Sequence, residues 1–274
     1  MGRILKLDRR IIFMLVSIAM VLPLIHPFAF PGLSVTAPVK AIYDKIESLP
    51  PGSNLLVSFD FDPSSKPELE PQARAVLHHA FHRHLNVLTM GLWVTGQGLA
   101  QQIVHDCAQE AGAKEGVDYT YLGWQPGNAA VIIGMGQDIA KTFPKNARGE
   151  PTANLPIMRT IKFLPDIHYM LCFGAGSPGV EDWIQFGGDK HKFPMAAGTT
   201  SVNAAGMMPF VQSGQLNGLL NGMKGAAEYE SLVKMNGTAT GGMDSLTLGA
   251  FLMLGLVLVA NLAHLATRSR KVTS

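Results

Sequence analysis

Two carboxylates one residue apart, Asp60 and Asp62, close the apolar run Asn54–Asp62 (NLLVSFDFD). One aspartate of such a pair can attack a phosphoryl group while the other moves the proton. That chemistry also asks for Thr or Val two positions after the second acid. Pro63-Ser64-Ser65 follows instead, so the acids are read as turn formers, with Asp62 capping the turn before Pro63 and Asp60 holding loop amides. Their position still matters, because open α/β sheets bind ligands beyond the carboxyl ends of their strands. Similar groups recur after each later apolar run: Trp93, Thr95, Gly96, Gln97 and Gly98; Trp124, Gln125 and Gly127; Gly174, Gly176 and Ser177; Gly198, Thr199, Thr200 and Ser201. Glycines let a backbone come close to a ligand, and helix starts offer free N–H groups to anions. The candidate ligand-binding residues are therefore Asp60, Asp62, Ser64, Thr95, Gln97, Trp124, Ser177, Thr199, Thr200 and Ser201. No catalytic residue is assigned.

Other groups point to less. His78, His79, His82 and His84 cluster in HHAFHRH. His78 and His82 are one turn apart, a spacing that can share a metal. They lie about 140° and 180° around the helix from the apolar stripe centred on Ala73, so they are read as a solvated face and no metal site is assigned. Gly134-Met135-Gly136 lacks the third glycine of a dinucleotide fingerprint and the acid that would hold a ribose, and Gly174-Ala175-Gly176 shares the defect. No cofactor is assigned. Cys107 and Cys172 are read as buried thiols, one on a helix and one on a strand, with their pairing left open. No basic patch interleaved with aromatics invites a nucleic acid.

Alternating strands and helices must position these groups. Asn54–Asp62 reads as a strand buried on both faces. Pro67–His84 follows as a helix with Leu69, Ala73, Val76, Leu77 and Ala80 on one side. Asn86–Trp93 reads as a strand, Gly98–Ala111 as a helix and Asp118–Gly123 as a strand. Ala129–Phe143 reads as a helix or a strand–helix pair, and 144–156 as loop. Ile167–Phe173 is expected as a strand, Val180–Gly187 as a short helix, Pro194–Gly198 as a short strand and Gln215–Met235 as a long helix. Gly218 and Gly222 would form a small-residue ridge on that last helix, packed on the sheet. The alternation predicts a three-layer, Rossmann-like α/β domain with a mostly parallel sheet.

The 274 residues are 47% hydrophobic and 15% charged, against about 25% charged in ordinary domains. That excludes intrinsic disorder, and two cysteines exclude a disulfide-dense scaffold. The excess hydrophobicity lies at the ends. Residues 11–31 and 246–266 are each predicted to cross a membrane as a helix. Asn261 and His264 would sit near the inner interface. Of 22 Lys/Arg, four fall in 1–31 and three in 245–274, against one and none of the 20 acids; the stretch between is net −4. Basic flanks mark cytoplasmic ends. The expected order is a cytoplasmic leader 1–10, span 11–31, linker 32–52 with a short helix, extracytoplasmic α/β domain 53–235, linker 236–245, span 246–266 and cytoplasmic tail 267–274. The place is then the cell (inner) membrane. The expected partners are the lipid bilayer and, through the spans, other membrane proteins or a homo-oligomer.

Four phrases strengthen the picture: LPPGSNLLVSFDFDPSSKPELEPQARAVLHH, LWVTGQGLAQQ, GWQPGNAAVIIGMGQDI and SGQLNGLLNGMKGAAEYE. Together they resemble a family of prokaryotic membrane proteins that pair one extracytoplasmic α/β domain with flanking hydrophobic segments. The resemblance covers about 49–233. It implies the topology and a bacterial or archaeal source, and it brings no reaction, ligand or site residue. The expected function is a membrane-anchored extracytoplasmic binding or scaffolding domain, an accessory to a membrane complex. The alternative is an ectoenzyme, a hydrolase or phosphotransferase, using the Asp60/Asp62 loop.

Overall fold

The computed structural model describes residues 8–28 and 34–272, with side chains for all of these except 263 and 265–272. The chain divides into two compact units, 34–237 and the two ends, 1–33 with 238–274.

The ends contribute helix α1 (Arg9–Ile25). Unit 34–237 begins with α2 (Ala37–Ser48), β1 (Asn54–Asp60), α3 (Lys66–His82), β2 (Asn86–Met90), α4 (Gln97–Ala111) and β3 (Tyr119–Tyr121). Then come α5 (Ala129–Gln137), α6 (Ile139–Thr142), β4 (Tyr169–Gly174), α7 (Val180–Asp182), a π-helical segment Trp183–Gly188 and α8 (Asp189–His191). Finally come β5 (Met195–Thr199), α9 (Ser201–Gln212), β6 (Leu219–Asn221) and α10 (Gly222–Leu232), before α11 (Thr238–Val272) of the other unit.

All six strands are parallel in the order β3-β2-β1-β4-β5-β6. The chain winds outward from β1 to β3, then returns to place β4 against β1. The direction of winding reverses there, which is where open sheets of this order form a crevice. Every residue of β1 is buried. Leu55, Val57 and Phe59 face a core made with α2, α3, α4 and α10, while Leu56 faces one made with α5, α7, the π-helical segment and α9. Helices on both faces give the three layers expected. Two-sided burial explains why β1 reads as a continuous apolar run rather than an alternation. The predicted stripe of α3, from Leu69 to Ala80, is wholly buried against the sheet.

Several boundaries differ from expectation. The expected linker 32–52 holds α2, whose Val39, Ile42 and Ile46 are core residues, so this segment belongs to the domain. Residues 129–143 hold two helices and no strand, and 144–156 carries a 3-10 turn at Thr152–Asn154. The helix expected over Gln215–Met235 is instead the sixth strand followed by α10. Gly218 lies in the loop before β6, where a Cβ would overlap the Pro38 carbonyl oxygen, and Gly222 opens α10 at φ +52°. The two glycines serve separate close approaches and form no ridge. Helix α9 has no counterpart among the expected elements, because SVNAAGMMPFVQ shows almost no sidedness.

Within the terminal unit α1 and α11 pack antiparallel. The Ser245 hydroxyl donates to the Met20 carbonyl at 2.8 Å, and Asp244 accepts the Phe28 amide at 2.7 Å. Gly241 faces Pro23, where a Cβ would lie 2.9 Å from the carbonyl oxygen. Among the described residues one helix is long and apolar enough to cross a membrane, over Thr238–Leu262, with a mean hydropathy of 2.1. The expected linker 236–245 is thus helical from Thr238, its glycines used for approach to α1. Helix α1 has 17 residues and ends before His26, which takes extended backbone ahead of Pro27. It is shorter than the span predicted over 11–31, and positions 29–31 of that span lie outside the described residues, as do 1–7 of the leader and 273–274 of the tail.

Candidate functional site

Asp60 ends β1 opposite Gly174 of β4, at the reversal point. It is completely buried. Its Oδ1 accepts from the Ser58 hydroxyl at 2.8 Å and the Leu92 amide at 2.7 Å; its Oδ2 accepts from the Cys172 thiol and the Trp183 indole N–H, both at 3.1 Å. Burial pushes its pKa up to about 6, against the four donors that favour the charged form. Burial and the adjacent carboxylate together push the Cys172 thiol well up. Both oxygens are engaged and no surface is open, so Asp60 ties β1, the segment after β2, β4 and the π-helical segment together and has no lone pair aimed at a substrate. Trp183 is not among the expected residues; a lone indole in WIQFGG gives no sign of whether its N–H points inward.

The other loop residues after β1, β2 and β3 do local work. Half-buried Asp62 accepts from the Ser64 amide at 3.0 Å and the Ser64 hydroxyl at 2.6 Å, which holds its carboxyl below the usual range. This is the turn cap expected before Pro63, and Asp60 and Asp62 do not converge on one cleft. Thr95 is exposed on a short 3-10 turn whose Gly96 lies against the Phe61 carbonyl. Gln97 accepts the Tyr121 hydroxyl at 3.3 Å, and the Trp124 indole donates to the Leu92 carbonyl at 3.0 Å.

The carboxyl ends of β4 and β5 are different. A crevice of about 320 Å³ opens there between the glycine-rich loop after β4 and the start of α9. Of the ten expected residues it contains Ser177 and Thr199. Asp182, Glu181 and Asn203 complete its polar lining; Val180, Val202 and Met207 supply apolar surface. Asp182 accepts the Gly179 amide at 2.9 Å, and Asn203 donates to the Ala175 carbonyl at 2.7 Å, fixing the loop to α9. Thr199 is 1% exposed, and its hydroxyl has no hydrogen-bond partner. Thr200 and Ser201 serve the start of α9: the Thr200 carbonyl accepts from Asn203, and both the amide and the hydroxyl of Ser201 donate to Glu68 of α3, at 2.8 and 2.6 Å. Glu68 therefore occupies the place where a helix start would take an anionic ligand. The acidic pair Glu181-Asp182 is legible as two acids following a glycine-rich stop; Asn203 is not, since its own helix carries no local signal.

The histidine run splits. His82 and His84 are exposed, and His78 is half-buried with its ring 4.0 Å from that of His82. His79 departs from the solvated face: it is buried between the Tyr229 hydroxyl at 2.8 Å and Glu47 at 3.0 Å, because α10 and α2 cover that side of α3. Burial lowers its pKa, against the Glu47 carboxylate, which favours the charged form. Cys107 and Cys172 are both free and buried, and the Cys107 thiol is pushed up to about 12 by burial. Among the described residues no group of three His, Cys, Asp or Glu side chains is placed to hold a metal ion. The strand order is that of dinucleotide-binding sheets, but β1 is followed by Phe61-Asp62-Pro63, with no glycine to admit a pyrophosphate and a carboxylate to repel it. Comparison with protein-family models, with curated proteins and with solved structures finds no match to this chain.

Proposed function

We propose that the protein is a membrane-anchored binding domain. Its two terminal helices sit in the bilayer of the cell (inner) membrane, both chain ends lie in the cytoplasm, and residues 34–237 stand outside as the part that binds. The observation that carries this reading is the surface of the helix pair. Phe13, Ile18, Val21 and Leu24 of α1, and Phe251, Leu254, Leu258 and Leu262 of α11, are 51 to 68% exposed. Only 6% of the apolar stretch of α11 is buried, which no core helix of a water-soluble body would show. A 17-residue helix is about 25 Å long, within reach of a thin hydrocarbon layer. The basic residues at the outer ends of both helices favour the cytoplasmic side for both termini. Gly241, Ser245 and Gly249 on the contact face are the small and hydroxyl-bearing residues that pack helices in lipid.

Binding is preferred to catalysis because the acid best placed for chemistry, Asp60, is sealed and fully hydrogen-bonded. The exposed apolar face of the helix pair leaves room for lipid, for other membrane proteins or for a second copy. Fractionation of cells making the full chain provides the test. The protein should stay with membranes through an alkaline wash and leave them only with detergent, and mild-detergent purification should show which membrane proteins accompany it. Free solubility in water without detergent would overturn the reading.

A further inference from the structure

We infer that the crevice above β4 and β5 is the site of a small hydroxylated amine, bound as its cation. This rests on the binding reading above and names its ligand class.

The floor of the crevice comes first. Along β5, Ala196 faces the α3 side of the sheet, whereas Met195 and Ala197 face the side of α9. Thr199 shares the parity of Met195 and Ala197, and it lines the crevice with Val180 and Met207 of that same side. Its hydroxyl is buried without a partner. Buried hydroxyls are nearly always satisfied, and one that is not calls for a specific explanation. A ligand hydroxyl that reaches the floor as the Thr199 side chain turns toward the crevice supplies the missing bond.

Charge selects the rest of the ligand. The lining carries two carboxylates, Glu181 and Asp182, and no Lys, Arg or His. Asp182 spends one bond on the Gly179 amide; Glu181 is exposed beside it. The start of α9, the one nearby feature that would attract an anion, is already capped by Glu68. A cleft with one sign of charge concentrates the opposite ion, so an ammonium group fits and a phosphate does not. The acidic pair also leads directly into the π-helical segment Trp183–Gly188, and such wide turns recur at functional sites. A volume of about 320 Å³ is at the small end of ligand pockets. It admits a molecule the size of a single sugar ring.

Three probes of one size and different charge decide the matter: D-glucosamine in mildly acidic buffer, D-glucose and D-glucuronate. Each is titrated calorimetrically into the full-length protein in a polyoxyethylene detergent, which contains no sugar. Glucosamine should bind roughly tenfold or more tighter than glucose, and glucuronate should not bind, as one charge-assisted hydrogen bond predicts. Glu181→Gln should lower glucosamine affinity about tenfold by the same reasoning. Thr199→Val should weaken it about fivefold while leaving the melting temperature of the unliganded protein unchanged or higher, since an unpaired buried hydroxyl is removed. Absence of glucosamine binding, equal binding of glucose, or indifference to both substitutions overturns the inference. Failure of membrane anchoring is read separately, from solubility without detergent, and leaves the titration interpretable.

Discussion

Asp60 has a pKa of about 6 in the fold against 3.8 for an ordinary side chain, so the folded state holds its proton more tightly than the unfolded chain does. The group therefore favours folding below about pH 4, and that advantage is lost as the pH rises through 6. Above that the buried charge costs about 3 kcal/mol, at about 1.36 kcal/mol for each tenfold change in proton affinity. Asp60→Asn removes this titration. Its stability relative to the parent should improve by up to about 3 kcal/mol between pH 4 and 7, read from thermal unfolding with Trp183, in contact with the carboxyl, as the fluorescent reporter. The fixed cost of setting an amide N–H against a donor cancels between the two pH values. A relative stability independent of pH would show that Asp60 is not the buried acid described. That Asp60 ends a strand is readable from the run before it; that four donors close over it is not, because Leu92, Cys172 and Trp183 come from three other segments.

At the scale of elements, glycine separates what a local pattern suggests from what packing requires. Gly98 lies in the first turn of α4 with open space where a Cβ would go. Gly98→Ala should stabilise the protein by about 0.5–1 kcal/mol, the usual gain in a helix. Gly222 has φ +52°, and a Cβ would overlap the Ser201 hydroxyl. Gly222→Ala should cost at least about 1–2 kcal/mol from the left-handed backbone alone. It should also disturb the Ser201–Glu68 cap of α9. Melting temperatures of the two variants should therefore move in opposite directions. Read as a helix, QLNGLLNGMKGAAEYE places both Gly218 and Gly222 on one ridge. The three-residue strand inside it, Leu219–Asn221, is fixed only by pairing to β5, and no local signal distinguishes so short a strand from a helix turn. The longer elements β1, α3, β2 and α4 are legible with ends shifted by a few residues, because each has enough residues to show its period.

For the whole molecule the decisive quantity is which side of the membrane holds residues 34–237. Both native cysteines are buried and their thiols are pushed up, so neither should react with a maleimide before unfolding. A single added thiol at exposed Lys145, as Lys145→Cys, then reports topology without removing the natural ones. The proposed arrangement predicts labelling by a membrane-impermeant maleimide in intact cells. Labelling only after the cells are broken would place the domain in the cytoplasm and reverse the orientation.

The sequence by itself determined the class of fold, the parallel sheet buried on both faces and the apolar character of the two ends. Each of these follows from residues close together along the chain, whose period or run length is set by the solvent around them. Tertiary structure alone decided the rest. It settled the place of α2 in the core, the sixth strand, the helix before it, and which loop residues share a crevice. Of ten candidate residues spread over five loops, Ser177 and Thr199 meet at one site, together with Asp182 and Asn203. Strand order makes the difference: it sets β4 and β5 side by side and leaves the loops of β2 and β3 on the far side of β1, a long-range pairing that no window of sequence contains.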